Sequence, residues 1–354
     1  MQLFTPLHLG ALPLRNRVVM APLTRVRSGA DGVPNDLVVE YYGQRASTGM
    51  ITSEGAYTSA GSQAYPGQPG IVTEEQIAGW RRVTDAVHAR GGLIVMQLMH
   101  GGRVTHPSVN GGNPVIAPSA IAIEGEVRTA DGKAPYPVPV AADAASIIAE
   151  HVTAARNAIA AGMDGVEIHS ANGYLLHEFL APSSNLRDDE FGGTPQKRAR
   201  LGIEVATAVA AAIGADRVGI RISPSHNIQD VLEIDAADTR LTYETLLSGL
   251  APLGLAYLSV LHSDPAGEFV QDLRAHFGGP LVANSGFGVI TSREDAAALI
   301  EHGKADAVAV GRMLIANPDL VRRWAEEREL NEPDASTFYG PDAHGYTDYP
   351  ALAS

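Results

Sequence analysis

Apolar residues in this chain collect in short continuous runs instead of falling on every second position. The runs are 17–22, 49–55, 92–98, 165–169, 217–223, 255–261, 280–283 and 305–310. Strands apolar on both faces belong to a sheet covered on both faces, which points to parallel pairing under helices. Between the runs the spacing becomes that of amphipathic helices, predicted over 36–48, from a Thr73 cap to about Arg90, and over 143–161. Further helices are predicted up to Ile213, over 242–253, 268–277 and 291–302, and last up to Glu329. Eight strand-then-helix units can be counted in this way. Closing them gives an α/β fold, a single-domain (β/α)8 TIM barrel.

Three segments stand outside that rhythm. Residues 3–17 alternate loosely and are broken by Pro6, Gly10 and Pro13, which suits an N-terminal hairpin plugging the barrel floor. Residues 100–142 follow strand three, show no period and are rich in Gly, Pro and Asn, so a lid-like loop insertion over one mouth is expected. Residues 330–354 form a C-terminal tail. No linker divides the chain, and one domain is expected over 1–354.

Composition narrows the chemistry. With no Cys, iron–sulfur clusters, thiolate zinc sites and a catalytic thiol are excluded. A net charge of −14 repels a polyphosphate backbone, so no nucleic acid partner is expected. The 45% hydrophobic content is ordinary for a soluble protein and no apolar run is long enough to span a membrane, while residues 1–6 lack a signal-peptide pattern. A cytoplasmic protein is expected.

Chemistry in a barrel belongs at the C-terminal ends of its strands. Thr24, Gly55, Gln97, His169, Arg221, Ser285 with Gly286, and Gly311 with Arg312 all follow predicted strands. Arg221 lies in an apolar strand and cannot shed its charge, so it needs either an internal partner such as Glu167 or Glu54, or a negatively charged ring system. Gln97 can pair with an amide edge, or serve as a satisfied core amide. Two Gly turns after strands seven and eight occupy the usual phosphate position of barrels, with Arg312 as countercharge. His169 and Asn172 can both donate to one oxygen, and Tyr174 carries a transferable proton; together they form a carbonyl-activating site. His100, His106, His177 and His262 have no evident constellation, and no metal site is expected.

These residues sit in stretches spread through the whole chain: NRVVMAPLTR at 16–25, EYYGQRAS at 40–47, the run 166–185, FGG at 191–193, ANPDL at 316–320, FYG at 338–340 and GYTDYP at 345–350. On them the chain resembles the old yellow enzyme family of flavin-dependent ene-reductases, and is similar to the bacterial members that reduce N-ethylmaleimide and nitrate esters. The resemblance implies non-covalent FMN at the barrel mouth and NADPH or NADH as hydride donor. It implies ping-pong reduction of small electron-poor alkenes, α,β-unsaturated carbonyls above all and nitro compounds at the level of the family. Ala21, Pro22, Leu23 and Thr24 would line the flavin, Gly55 would leave room beside it, Gln97 would hold its pyrimidine edge and Arg221 its N1 and C2 carbonyl side. Ser285, Gly286, Gly311 and Arg312 would take the phosphate. His169 and Asn172 would bind the activating oxygen, hydride would pass from flavin N5 to the β-carbon, and Tyr174 would protonate the α-carbon. Met99 and Tyr339 would shape the substrate pocket. Close bacterial relatives carry a tryptophan where Met99 stands, so a softer wall that admits bulkier substrates is expected. The His169/Asn172 pair is that of the yeast-type members, and the excursion before Ala142 is shorter than in the bacterial ones. A monomer or homodimer is expected. Two other readings are a phosphate-binding barrel lyase or isomerase, which needs a strand-end lysine or carboxylate pair, and a flavin-binding sensor without turnover.

Overall fold

The computed structural model describes residues 1–129 and 131–353. Eight parallel strands, β1 (Val18–Met20), β2 (Met50–Thr52), β3 (Ile94–Met99), β4 (Gly165–Ser170), β5 (Val218–Ile222), β6 (Tyr257–Leu261), β7 (Leu281–Asn284) and β8 (Ala307–Val310), pair in chain order. The circle closes where β8 meets β1, with Val308 opposite Val18. The predicted barrel is thus the observed fold.

Side chains alternate between two environments along each strand. Val18, Met20, Ile94, Met96, Ile168, Ile220 and Val260 point outward into the large core shared with the helices. Val19, Met50, Val95, Tyr257, Val282 and Ala307 point inward and form a second cluster with Leu9, Leu12 and Leu14. Those leucines come from an antiparallel hairpin, Leu7–Leu9 with Leu12–Leu14, which fills the floor of the barrel. Gly219 is small for a packing reason: a Cβ there would fall 2.3 Å from the Tyr257 ring.

The helices are α1 (Asp36–Gln44), α2 (Glu74–His88), α3 (Ala144–Ala160), α4 (Leu175–Leu180), α5 (Pro195–Ile213), α6 (Ala236–Leu250), α7 (Glu268–Phe277), α8 (Arg293–Glu301), α9 (Arg312–Ala316) and α10 (Leu320–Ala325). Several boundaries differ from the expected ones: α1 ends at Gln44 and not at residue 48, α10 ends at Ala325 and not at Glu329, and α4 was not expected. Helix α6 begins at Ala236 and not at residue 242, because the Asp235 carboxylate accepts the N–H groups of Ala237 and Asp238 and so caps an earlier turn. The last predicted helix is two helices, α9 and α10, separated at Asn317 and Pro318, where proline removes a donor. Residues 100–142 hold short pieces of order, including an antiparallel hairpin of Glu126–Thr129 with Gly132–Pro135 at the rim of the barrel mouth.

The C-terminal tail is anchored by buried cations. Arg25 donates to the carbonyls of Phe338 and Gly345, and Arg27 to those of Thr337, Phe338, Asp342 and His344. Tyr346 stacks on Tyr41 with ring centres 4.0 Å apart. This brings the segment with Tyr339 back over the barrel mouth.

Candidate active site

A cavity of about 1290 Å³ opens at the C-terminal ends of the strands. Ala21, Pro22, Leu23 and Thr24 line it from the end of β1, Gln97 and Met99 from β3, His169 from β4 and Arg221 from β5. Asn172 and Tyr174 enter from the loop after β4, Gly286 from the loop after β7, Gly311 and Arg312 from the end of β8, and Tyr339 from the tail. Gly55 and Ser285 stand back from this lining. The room that Gly55 leaves is taken by Met99, whose sulfur would lie 2.6 Å from an added Cβ, and not by space for a ligand.

The floor is polar because inward parity puts Gln97, Glu167, His169, Arg221 and Ser259 above the apolar plug. Register sets His169 beside Arg221 and Arg221 beside Ser259, and Glu167 beside Gln97. Glu167 accepts from Gln97 Nε2 at 2.8 Å and from the Tyr257 hydroxyl at 3.1 Å. Arg221 is only 2% exposed, donates through Nη1 to Ser259 Oγ at 3.3 Å, and leaves Nε without a partner among the described residues. Burial pushes the Glu167 carboxyl up and the Arg221 guanidinium down, so their mutual attraction does not cover the cost of enclosing them. An unsatisfied buried guanidinium calls for an acceptor.

Above it, burial, with the positive charge of Arg221 behind, holds His169 well below the ordinary histidine range, so the imidazole is neutral. Its Nδ1 and the Asn172 Oδ1 are buried without partners among the described residues. Asn172 has φ of +57° and Gly173 of +80°, a turn that aims the Asn172 side chain into the cavity. Several bonds hold this turn. Asn172 N–H donates to Ser223 Oγ at 2.8 Å, Gln229 Nε2 donates to the Asn172 carbonyl at 2.8 Å, and Gly173 N–H donates to His177 Nδ1 at 2.9 Å. The bond to Nδ1 leaves the proton on Nε2, which lies 3.2 Å from Glu233. Glu233 also accepts from Tyr243 at 2.9 Å and from the Ser225 N–H at 2.6 Å. Burial pushes Tyr174 up to about 12, so it is a protonated phenol at neutral pH.

At the other end, Arg312 Nη2 reaches the carbonyls of Phe287 and Val289, and Gly286 N–H donates to Asn284 Oδ1 at 3.1 Å. Sequence reasoning missed several parts of this site. His177 was set aside, although it braces the Asn172 turn. Tyr65, whose hydroxyl lies 2.8 Å from that of Tyr174, was not considered. Glu54, weighed only as a partner for Arg221, instead accepts from the N–H groups of Arg25 and Val26 at 3.0 Å each and holds Val26 at φ of +50° at the cavity edge. Only the Gly173-to-His177 spacing carried a local signal.

An FMN suits this donor set. It offers acceptor atoms to the orphaned Arg221 Nε and a planar body to the largely apolar space, and its phosphate suits the Gly286, Gly311 and Arg312 end. Barrel and site define an FMN-dependent oxidoreductase of the ene-reductase class, using a nicotinamide donor. The chain belongs to the NADH:flavin oxidoreductase / NADH oxidase family, whose pattern matches residues 2–331. It is 43% identical to a probable flavin mononucleotide-dependent alkene reductase of Leishmania infantum, over 98% of this chain and 96% of the relative. Among solved structures, morphinone reductase superposes with a TM-score of 0.92 at 43% identity, covering 99% and 96% of the two chains. The old yellow enzyme homologue from Zymomonas mobilis superposes with a TM-score of 0.93 at 39% identity, covering 99% and 100%. Among the described residues no helix is long and apolar enough to cross a membrane, and no cluster of ligating side chains could hold a metal.

Proposed function

We propose that the chain reduces the activated C=C bond of small α,β-unsaturated carbonyl compounds, with His169 and Asn172 polarising the substrate and Tyr174 delivering the proton. The carrying observation is that three polar side chains, two of them with buried atoms unpartnered among the described residues, converge on one cavity above a guanidinium whose Nε likewise has no partner among them. When bound, FMN supplies the two-electron chemistry that links NAD(P)H to the alkene.

Arg221 and Gln97 would hold the polar edge of the ring, residues Ala21 to Thr24 would border it, and Gly286, Gly311 and Arg312 would hold the phosphate. Neutral His169 donates one N–H and the Asn172 amide another to the carbonyl oxygen. That withdraws electron density from the β-carbon and stabilises the oxygen as negative charge develops on it. Tyr174 then gives its proton to the α-carbon: its O–H bond breaks as the new C–H bond forms. Because nicotinamide and alkene would use the same cavity, each leaves before the other enters, and ping-pong kinetics follow. Met99 and Tyr339 border the substrate side. A Schiff-base lyase finds no support here, since Lys133, Lys197 and Lys304, the lysines of the chain, are all absent from the cavity lining.

Anaerobic reduction with NADPH or NADH, followed by addition of a cyclic enone, tests the reading. The flavin absorbance should bleach and then recover with formation of the saturated ketone. In Tyr174→Phe the first step should keep its rate and the second should slow by about 10²-fold or more. Equal rates in the second step would remove Tyr174 from the donor role, and bleaching without recovery would favour a sensor.

A further inference from the structure

Tyr174 does not face the cavity alone. Its hydroxyl lies 2.8 Å from that of Tyr65, which enters from the loop between β2 and α2. That loop is built and not merely draped over the mouth. Gln68 Oε1 accepts from the Ala64 N–H at 2.9 Å and Gln68 Nε2 donates to the Gly55 carbonyl at 2.8 Å, tying the Tyr65 turn to the end of β2. Tyr65 packs against the small apolar cluster of Ala64, Met99, Val104, Ile123 and Tyr174. Tyr65 is half-buried and lines the cavity.

A phenol has a single proton. If Tyr174 is to protonate a carbon in the cavity, that proton must point into the cavity and cannot also be donated to Tyr65. The contact between the two hydroxyls is then Tyr65 O–H donating to the Tyr174 oxygen. After the transfer Tyr174 would be a buried phenolate, and the same bond becomes charge-assisted and stronger. We propose that Tyr65 is the second phenol of a proton relay: it keeps the Tyr174 proton aimed at the substrate and replaces it after transfer. The Tyr65 O–H bond breaks as the Tyr174 O–H bond re-forms, and Tyr65 regains a proton from water at the cavity mouth. This rests on Tyr174 being the proton donor. Gln229 also approaches Tyr174, but an amide N–H can only steady the phenolate and does not give up its proton at neutral pH.

Tyr65→Phe keeps the ring and removes only the hydroxyl, so packing is retained. In the FMN-loaded enzyme, enone reduction by Tyr65→Phe should slow about tenfold, with an altered solvent deuterium isotope effect, while flavin reduction by NADPH is unchanged. Independently of turnover, the infrared C–O stretch of Tyr174 should shift in Tyr65→Phe, with or without FMN; the band is assigned by subtracting the spectrum of Tyr174→Phe. An unmoved band together with an enone rate within twofold of the parent overturns the relay, provided Tyr174→Phe is slow. A full enone rate in Tyr174→Phe overturns the donor assignment and the relay with it.

Discussion

Replacing Arg221 by Met separates two roles for a buried guanidinium, because they predict opposite results. If Arg221 were chiefly the counter-ion of Glu167, its removal would strand a buried carboxylate, and breaking such a pair costs about 3–5 kcal/mol. The geometry favours the other role. The Glu167 oxygens are taken by Gln97 at 2.8 Å and Tyr257 at 3.1 Å, and Arg221 keeps one 3.3 Å bond to Ser259 and an idle Nε. Losing one long bond while removing a desolvated charge should change the stability of the FMN-free protein by no more than about 1 kcal/mol. A charge-assisted hydrogen bond to bound FMN is worth about 1.5–3 kcal/mol. That corresponds to roughly 10- to 150-fold weaker FMN binding, with the other contacts retained. Quenching of FMN fluorescence gives the affinity, and urea unfolding of the FMN-free protein gives the stability. A stability loss of about 3–5 kcal/mol with unchanged FMN affinity would refute the assignment.

Two further perturbations concern carboxylates outside the proposed chemistry. Glu233→Gln should cost about 1–3 kcal/mol at pH 7, since His177, Tyr243 and the Ser225 N–H all converge on Glu233. Burial alone would raise the Glu233 pKa, but those partners outweigh it and hold it below the usual range. Its stabilisation is therefore present above the unfolded value near ~4.3 and lost as pH falls through the lower folded value. Urea unfolding at neutral and acidic pH should show the gap between parent and variant closing in acid; a constant gap would contradict the charged role. Glu178 has the opposite sign, with burial pushing it up to about 8 despite Arg103 nearby. As pH rises from the unfolded value towards 8, the parent should lose up to about 1.4 kcal/mol per pH unit at this site. Glu178→Gln escapes that loss, so its melting temperature should gain on the parent between pH 6 and 8; parallel curves would show that Glu178 is ionised in the fold.

Much of the site was legible in the chain because a parallel barrel imposes a simple rule. Doubly buried strands show as apolar runs, and a polar residue that interrupts such a run near its end must face the inside of the barrel or its mouth. Gln97, His169 and Arg221 were found in that way. Helix α6 was misplaced because Asp235 gave no hint that its carboxylate, and not a later residue, would cap the first turn. The resemblance implied room for the flavin beside Gly55, whereas the neighbour that fills the space at its Cβ, Met99, arrives from β3.

The order of polar and apolar positions thus determined by itself that there is a barrel, which end gathers its polar side chains, and that His169, Asn172 and Tyr174 lie near one another. Tertiary structure alone decided what surrounds them. Tyr65 meets Tyr174 across 109 positions, Glu233 meets His177 across 56, and Arg27 meets the Phe338 carbonyl across 311. Hydrogen bonds at such separations leave no period or local spacing. They exist because eight strands close into a ring and bring the loops at one end within reach of each other.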